Sequence, residues 1–262
     1  MTTPSLRQRL AHGEALVGTF CAIAHPAATE MVAQAGFDFL CLDAEHSAID
    51  RGTAEEMVRA AAAAGVPALI RVAANTPELI GAALDAGAAG VVVPRVNSAD
   101  EAAAAVSASR YPPLGNRGAG PGRASAYGSE LTSYVASAND DLLLAVQVES
   151  AQAVSQARAI AAVDGVDLLF LGPGDLAVSL AADRGEPVAA AELSQVMTGV
   201  VGAASTEGTW SGLFRMDGAD VGEWTQRGAS LFIIGAESIF MITGAAQTAR
   251  RARAQILEAS GV

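Results

Sequence analysis

The feature that most constrains this chain is an alternation. Short apolar runs ending in Gly, Asp, Glu or Arg are each followed by a stretch of helical character, and the pair recurs eight times. The apolar runs cover residues 16–23, 37–44, 67–72, 90–96, 142–149, 166–172, 209–216 and 230–237. Near-continuous apolar strands belong to a parallel sheet covered on both faces. The helical stretches open on N-cap residue types (Thr76 before Pro77, Ser98, Ser150 and Asp217) and close on Gly36, Gly65, Gly87, Gly208 and Gly228. Eight βα units in 262 residues predict a single (β/α)₈ TIM barrel domain over residues 1–262, since that fold typically needs about 250. A doubly wound sheet uses the same units, but no G-x-G-x-x-G fingerprint follows the first strand. Two segments break the rhythm: a long Gly-rich stretch over residues 111–139 carrying Arg117 and Arg123, and an Ala-rich helix over 188–208 preceded by a short helical turn near 176–181.

Charge and composition remove several function classes. The net charge of -12 argues against nucleic acid, which needs a basic footprint. No uncharged apolar run reaches the roughly 18 residues of a membrane span, and the first residues lack the apolar core of a signal peptide. The only cysteines, Cys21 and Cys41, fall inside predicted strands, which fits reduced thiols and a cytoplasmic location. All 16 of the chain's Lys and Arg residues are arginines, so chemistry through a lysine imine is excluded.

In a parallel barrel the chemistry sits at the C-terminal strand ends, and the ionisable residues gather there. The run FDFLCLDAEH (37–46) ends on Asp43, Glu45 and His46; Arg71 closes the third run, Arg95 follows the fourth, and Gln147 and Glu149 end the fifth. Gly172, Pro173, Gly174 and Asp175 end the sixth, and Glu237 the eighth. Glu149 and Asp175 lie past adjacent strands, where two carboxylates with water and substrate oxygens suit Mg²⁺, Mn²⁺ or Co²⁺; equally, they could be a helix-start charge and an N-cap. The N–H groups of the Gly-Pro-Gly-Asp turn suit a carboxylate or phosphate, although such a sequence is also an ordinary turn. Arg71 could fork onto a carboxylate or oxyanion, or simply pair with Asp43 or Glu45. His46 sits where a proton shuttle is useful. His25, at the end of the first run, could face the same site, and His12 reads as a surface residue.

Together FDFLCLDAEH, IRV, LDAGAAGVVVPRVNSADEA, RYPPLGNRGAG, AVQVES and GVDLLFLGPGDLAVSLA resemble the HpcH/HpaI aldolase family over roughly residues 15–245. The resemblance implies a class II, divalent-metal-dependent aldolase that makes or cleaves 4-hydroxy-2-oxo acids, with pyruvate or hydroxypyruvate as enolate donor and an aldehyde as acceptor. Glu149 and Asp175 match the metal ligands. Arg71 matches the arginine on the keto oxygen, His46 the acid/base, and Asp85 its orienting carboxylate. Gln147 matches a polar neighbour of the metal, while Gly172, Pro173, Gly174 and Asp175 match the carboxylate-binding turn. Asp43 and Glu45 match nearby carboxylates, and His25 and Arg123 are secondary candidates. The resemblance further implies a homo-oligomer, usually a hexamer built as a trimer of dimers, with the terminal helices packing in it. The chain departs from the family in Gly174 for Ala, Arg95 for Met and Glu237 for Asp, and its loop over residues 118–128 is short. The other readings are a malyl-CoA or citramalyl-CoA type thioester lyase and a non-catalytic barrel that binds a 2-oxo acid.

Overall fold

A computed structural model describes residues 4–260. Eight parallel strands close into a barrel in sequence order, each hydrogen-bonded to the next and β1 to β8. They are β1 (Leu16–Cys21), β2 (Phe39–Asp43), β3 (Ala68–Arg71), β4 (Gly90–Val93), β5 (Leu143–Val148), β6 (Leu168–Leu171), β7 (Trp210–Arg215) and β8 (Leu231–Ala236). Each expected run contains its strand, trimmed by one to three residues at the ends. The helices between them are α2 (Pro26–Ala33), α3 (Arg51–Ala63), α4 (Pro77–Asp85), α5 (Ala99–Ser109), α6 (Leu131–Asp141), α7 (Ala151–Ala161), α8 (Pro173–Arg184), α9 (Ala190–Thr206) and α10 (Val221–Gln226). Helix α1 (Leu6–Ala11) precedes the barrel and α11 (Glu237–Ala259) follows it.

The two-residue period of a strand sorts side chains into two cores. Phe20, Phe39, Cys41, Leu69, Val92, Leu143, Ala145, Leu168, Phe170, Leu231 and Ile233 fill the barrel interior, and the intervening residues, such as Leu40, Leu42, Leu144 and Val146, pack under the helices. Leu6 and Leu10 of α1 join the interior cluster and are almost fully buried. Their helix is set by a capping box, in which Ser5 accepts from the Gln8 N–H and the Gln8 side chain accepts from the Ser5 N–H. Gly18 is required inside β1 because a Cβ there would fall 2.5 Å from the Phe39 ring.

Thr76, Ser98 and Ser150 cap α4, α5 and α7 as expected, each accepting an N–H three residues on. Asp217 does not cap a helix. It closes a turn by accepting the Ala219 N–H at 3.0 Å, and α10 begins only at Val221. The stretch 111–139 is not one long loop: it holds a 3₁₀ turn (Arg123–Gly128) and most of α6. The short turn expected near 176–181 is the middle of a three-turn helix, α8. No helix among the described residues is long and apolar enough to cross a membrane.

Candidate active site

The strand period that fills the barrel interior also aims the polar residues. Phe39 and Cys41 point inward on β2, so Asp43 does too. Leu69 precedes Arg71 on β3, and Leu143 and Ala145 precede Gln147 on β5. The core therefore ends, at its C-terminal mouth, in a layer of buried polar groups. Asp43 and Arg71 are register partners on neighbouring strands and form a bidentate pair, Nε to Oδ1 at 3.0 Å and Nη2 to Oδ2 at 2.7 Å. The Phe20 ring lies beneath the guanidinium, 4.4 Å from its centroid. Burial works against the Arg71 cation, but the hydrogen bond and charge of Asp43 outweigh it and raise its pKa. Asp43 Oδ1 also accepts the N–H groups of Glu45 and His46 at 3.1 Å, which folds the turn that presents both residues.

Glu149 follows β5 and is buried. It is not a surface charge at a helix start, because Ser150 is the N-cap of α7. Its Oε1 accepts the Arg95 N–H at 2.8 Å and its Oε2 the Gln147 side-chain N–H. Burial raises the Glu149 pKa, the Gln147 and Arg95 hydrogen bonds pull it down, and the charges of Glu45 and Asp175 push it up again, for a net rise. Asp175 is not an N-cap either. Gly172 occupies that place, Pro173 starts α8, and Asp175 lies exposed in the first turn. The first-turn N–H groups of Gly174 and Asp175 have no carbonyl partner within the helix. Gly172 is needed for space: a Cβ there would lie 3.1 Å from Gln147 Nε2 and 3.4 Å from Glu149 Oε2.

These residues line two cavities that share His46 and Asp175. One, of about 270 Å³, is lined by Glu45, His46, Arg95, Asn97, Glu149, Ser150 and Asp175. The other, of about 280 Å³, carries Asp43, Arg71 and the turn 172–175 on one side and apolar Phe20, Phe214 and Ala236 on another. His46 is half exposed, with Nε2 at 3.6 Å from Glu45 Oε2.

A divalent cation fits this donor set. Glu149 and Asp175 supply two carboxylates at one cavity, and two buried oxygens, Glu45 Oε2 and Gln147 Oε1, have no hydrogen-bond partner. Buried acceptors left unpaired are costly unless something satisfies them. No group of three or more His, Cys, Asp or Glu with metal-site geometry occurs among the described residues. Two carboxylates would therefore leave much of the shell to water and substrate, an arrangement typical of Mg²⁺-like ions.

Four residues expected at or near the site lie elsewhere. Asp85 ends α4 and pairs with Arg117 at 2.8 Å; among the described residues the carboxylate near His46 is Glu45 instead. Arg123 donates to the Ala86 carbonyl and lines a separate cavity with Asp85, Arg51 and Glu55. His25 is exposed and caps α2 through Nδ1, which accepts the Ala27 N–H at 3.1 Å, because β1 stops at Cys21. Glu237 does not line the mouth; it is buried at the start of α11, and its Oε1 accepts the N–H groups of Ala22 and Ile23. Arg95 enters the mouth through its backbone. It is a non-glycine residue in the left-handed region, φ 56°, which turns its N–H onto Glu149 and its side chain into the mouth. No local sequence pattern announces that conformation.

The strand-end pattern of D-x-E-H, Q-x-E and G-P-x-D on a closed parallel barrel has a counterpart among known proteins. The sequence model of the HpcH/HpaI aldolase/citrate lyase family matches residues 16–243. The chain belongs to that family. It is 37% identical over 258 residues to a hydroxypyruvate/pyruvate aldolase of Paraburkholderia phytofirmans, covering 96% of this chain and 98% of the relative. It is 36% identical to a 4-hydroxy-2-oxovalerate aldolase of Novosphingobium aromaticivorans, over the full length of both. A crystal structure of an HpcH/HpaI family protein from Burkholderia cenocepacia superposes with a TM-score of 0.88 at 36% identity, covering 96% of this chain and all of that one. The chain is an aldolase of this family, and the thioester-lyase reading is not favoured.

Proposed function

We propose that this aldolase reversibly adds the enolate of pyruvate or hydroxypyruvate to an aldehyde, giving a 4-hydroxy-2-oxo acid, with Glu149 and Asp175 holding a divalent ion such as Mg²⁺, Mn²⁺ or Co²⁺. The observation that carries this reading is the Asp43-clamped Arg71 guanidinium, fixed and charged at the mouth where Glu149, Asp175 and the α8 N-terminus converge. The names of the relatives, which act on pyruvate, hydroxypyruvate or a 4-hydroxy-2-oxo acid, supply the substrate class. A bound divalent ion would stabilise the enolate oxygen as a Lewis acid.

The protein's own residues do the rest. The first-turn N–H groups of Gly174 and Asp175 take the substrate carboxylate, helped by the positive end of α8. Arg71 places fixed positive charge where the keto oxygen gains negative charge, and Asp43 and Phe20 prevent it from swinging away. His46 moves the proton at the substrate's third carbon and, in the reverse sense, at the aldol hydroxyl, with Glu45 beside its Nε2. Gln147 orients Glu149. The apolar wall of Phe20, Phe214 and Ala236 receives the aldehyde and limits water around the nucleophilic carbon. The working unit is a homo-oligomer, a trimer of dimers, and the compartment is the cytoplasm, where the buried thiols of Cys21 and Cys41 stay reduced.

The deciding experiment is solvent deuterium exchange into pyruvate with Mn²⁺ or Mg²⁺, which reads enolisation without an aldehyde. Exchange that requires the metal and is lost in Glu149→Gln supports the proposal. Absence of exchange with every divalent metal tried would overturn it.

A further inference from the structure

Arg95 stands out because the aldol chemistry gives it no task, yet its backbone adopts a conformation unusual for a side-chain-bearing residue to put it at the mouth. Its N–H binds Glu149 Oε1 at 2.8 Å, and its Nη2 lies 3.2 Å from Glu45 Oε1. The Glu45 side chain is only 3% exposed, whereas that of Arg95 is 70% exposed. Glu45 is thus a buried carboxylate whose nearest cation, closer than Arg71 or His46 at 3.6 Å each, is a solvent-facing guanidinium. The charges at the mouth then matter. Leaving His46 aside, Asp43, Glu45, Glu149 and Asp175 contribute four negative charges, and Arg71 and Arg95 two positive ones. A divalent cation brings that balance to zero. With a neutral residue at position 95 the loaded mouth would keep one negative charge and would oppose an anionic 2-oxo acid.

We infer that Arg95 is a positioning and charge-setting residue that trades metal affinity for oxo-acid affinity: its guanidinium competes with the divalent ion for the acidic mouth and, once the ion is bound, leaves the site neutral enough to admit the substrate carboxylate. The inference rests on the metal reading of Glu149 and Asp175. For Mn²⁺ it predicts an effect opposite in sign to that of a merely structural residue, whose loss loosens the site and weakens every ligand.

The test is calorimetric titration of the whole protein with Mn²⁺ alone, and then of the Mn²⁺-loaded protein with pyruvate, for wild type, Arg95→Gln and Arg95→Lys. Arg95→Gln is expected to bind Mn²⁺ about tenfold more tightly and pyruvate about tenfold more weakly, the size expected of one partly solvated unit charge acting on a dication or an anion nearby. Arg95→Lys, which keeps the charge, should stay close to wild type in both. Both differences should shrink as salt is added. Unchanged or weaker Mn²⁺ binding in Arg95→Gln overturns the inference, and so does unchanged pyruvate binding. Glu149→Gln separates the two ideas. If it binds Mn²⁺ as well as wild type, or if wild type binds none, the metal reading itself is wrong.

Discussion

Single side chains at the mouth differ in what limits them. Arg71 is limited by geometry, because its fork meets both oxygens of Asp43 and its plane lies on Phe20. A lysine carries the charge but not the fork. Arg71→Lys should therefore slow metal-dependent deuterium exchange by about 100-fold, as loss of an oxyanion donor does, with little change in the melting curve; an exchange rate within a fewfold of wild type would remove Arg71 from the enolate. Glu149 is limited by burial, which holds its folded-state pKa above the ordinary glutamate value. A raised folded-state pKa means the proton favours the fold, so this contribution is present at low pH and lost as pH rises through that value. In EDTA, wild-type thermal stability should fall across that window, and Glu149→Gln should flatten the decline. Added Mn²⁺ should restore stability most on the alkaline side, where it no longer competes with the proton. His46→Ala should slow proton transfer while leaving Mn²⁺ affinity nearly intact, which titration can check.

At the level of elements, the turn into α8 and the helix α1 make contrasting demands. Gly172 has an ordinary φ of -97°, so alanine is acceptable to the backbone there, but its Cβ would press on Gln147 and Glu149. Gly172→Ala should weaken Mn²⁺ binding by displacing Gln147 while leaving the melting temperature almost unchanged, a separation that a simple fold defect cannot give. Helix α1 works the other way. Leu10 is 2% exposed within the barrel-interior cluster. Leu10→Ala should cost about 2–5 kcal/mol in denaturant unfolding, as buried leucine truncations do, and should leave the exchange rate of the folded enzyme close to wild type.

For the whole molecule, α11 is the element that bears on the proposed homo-oligomer. Over Glu237–Ala259 only Glu237 is buried, and Met241, Ile242, Ile256 and Leu257 are more than half exposed. Large apolar residues left in water along one helix are what an interface would cover, and they support the proposed homo-oligomer. Ile242→Glu combined with Leu257→Glu should lower the particle mass measured by light scattering during gel filtration; an unchanged mass would place the contacts elsewhere. The stacked Phe37 and Phe240 rings, 6.3 Å apart, tie the base of this helix to its own barrel, so the base should stay in place when the rest is released.

The eight-stranded barrel and the placement of Asp43, Arg71, Gln147 and Glu149 at its strand ends were legible in the sequence, because βα alternation and strand-end placement are local properties; that these side chains face inward was decided by the strand register. The family was legible too, since its motifs sit at fixed points of that period. Tertiary structure decided what local pattern could not. Asp85 was read as a partner of His46, but the end of α4 carries it to Arg117. His25 was read at a strand end, but β1 stops four residues earlier, and the imidazole caps α2 instead. The stretch 111–139 read as loop because its glycines hide a helix whose only fully buried residue is Ala138. Arg95 was read at a strand end and as a departure from the family, but its left-handed backbone and its contacts with two carboxylates from other strands appear only in three dimensions. The physical reason is common to all four: a sequence specifies which way a side chain leaves its own strand or helix, whereas which charges meet depends on how separate elements are brought together in space.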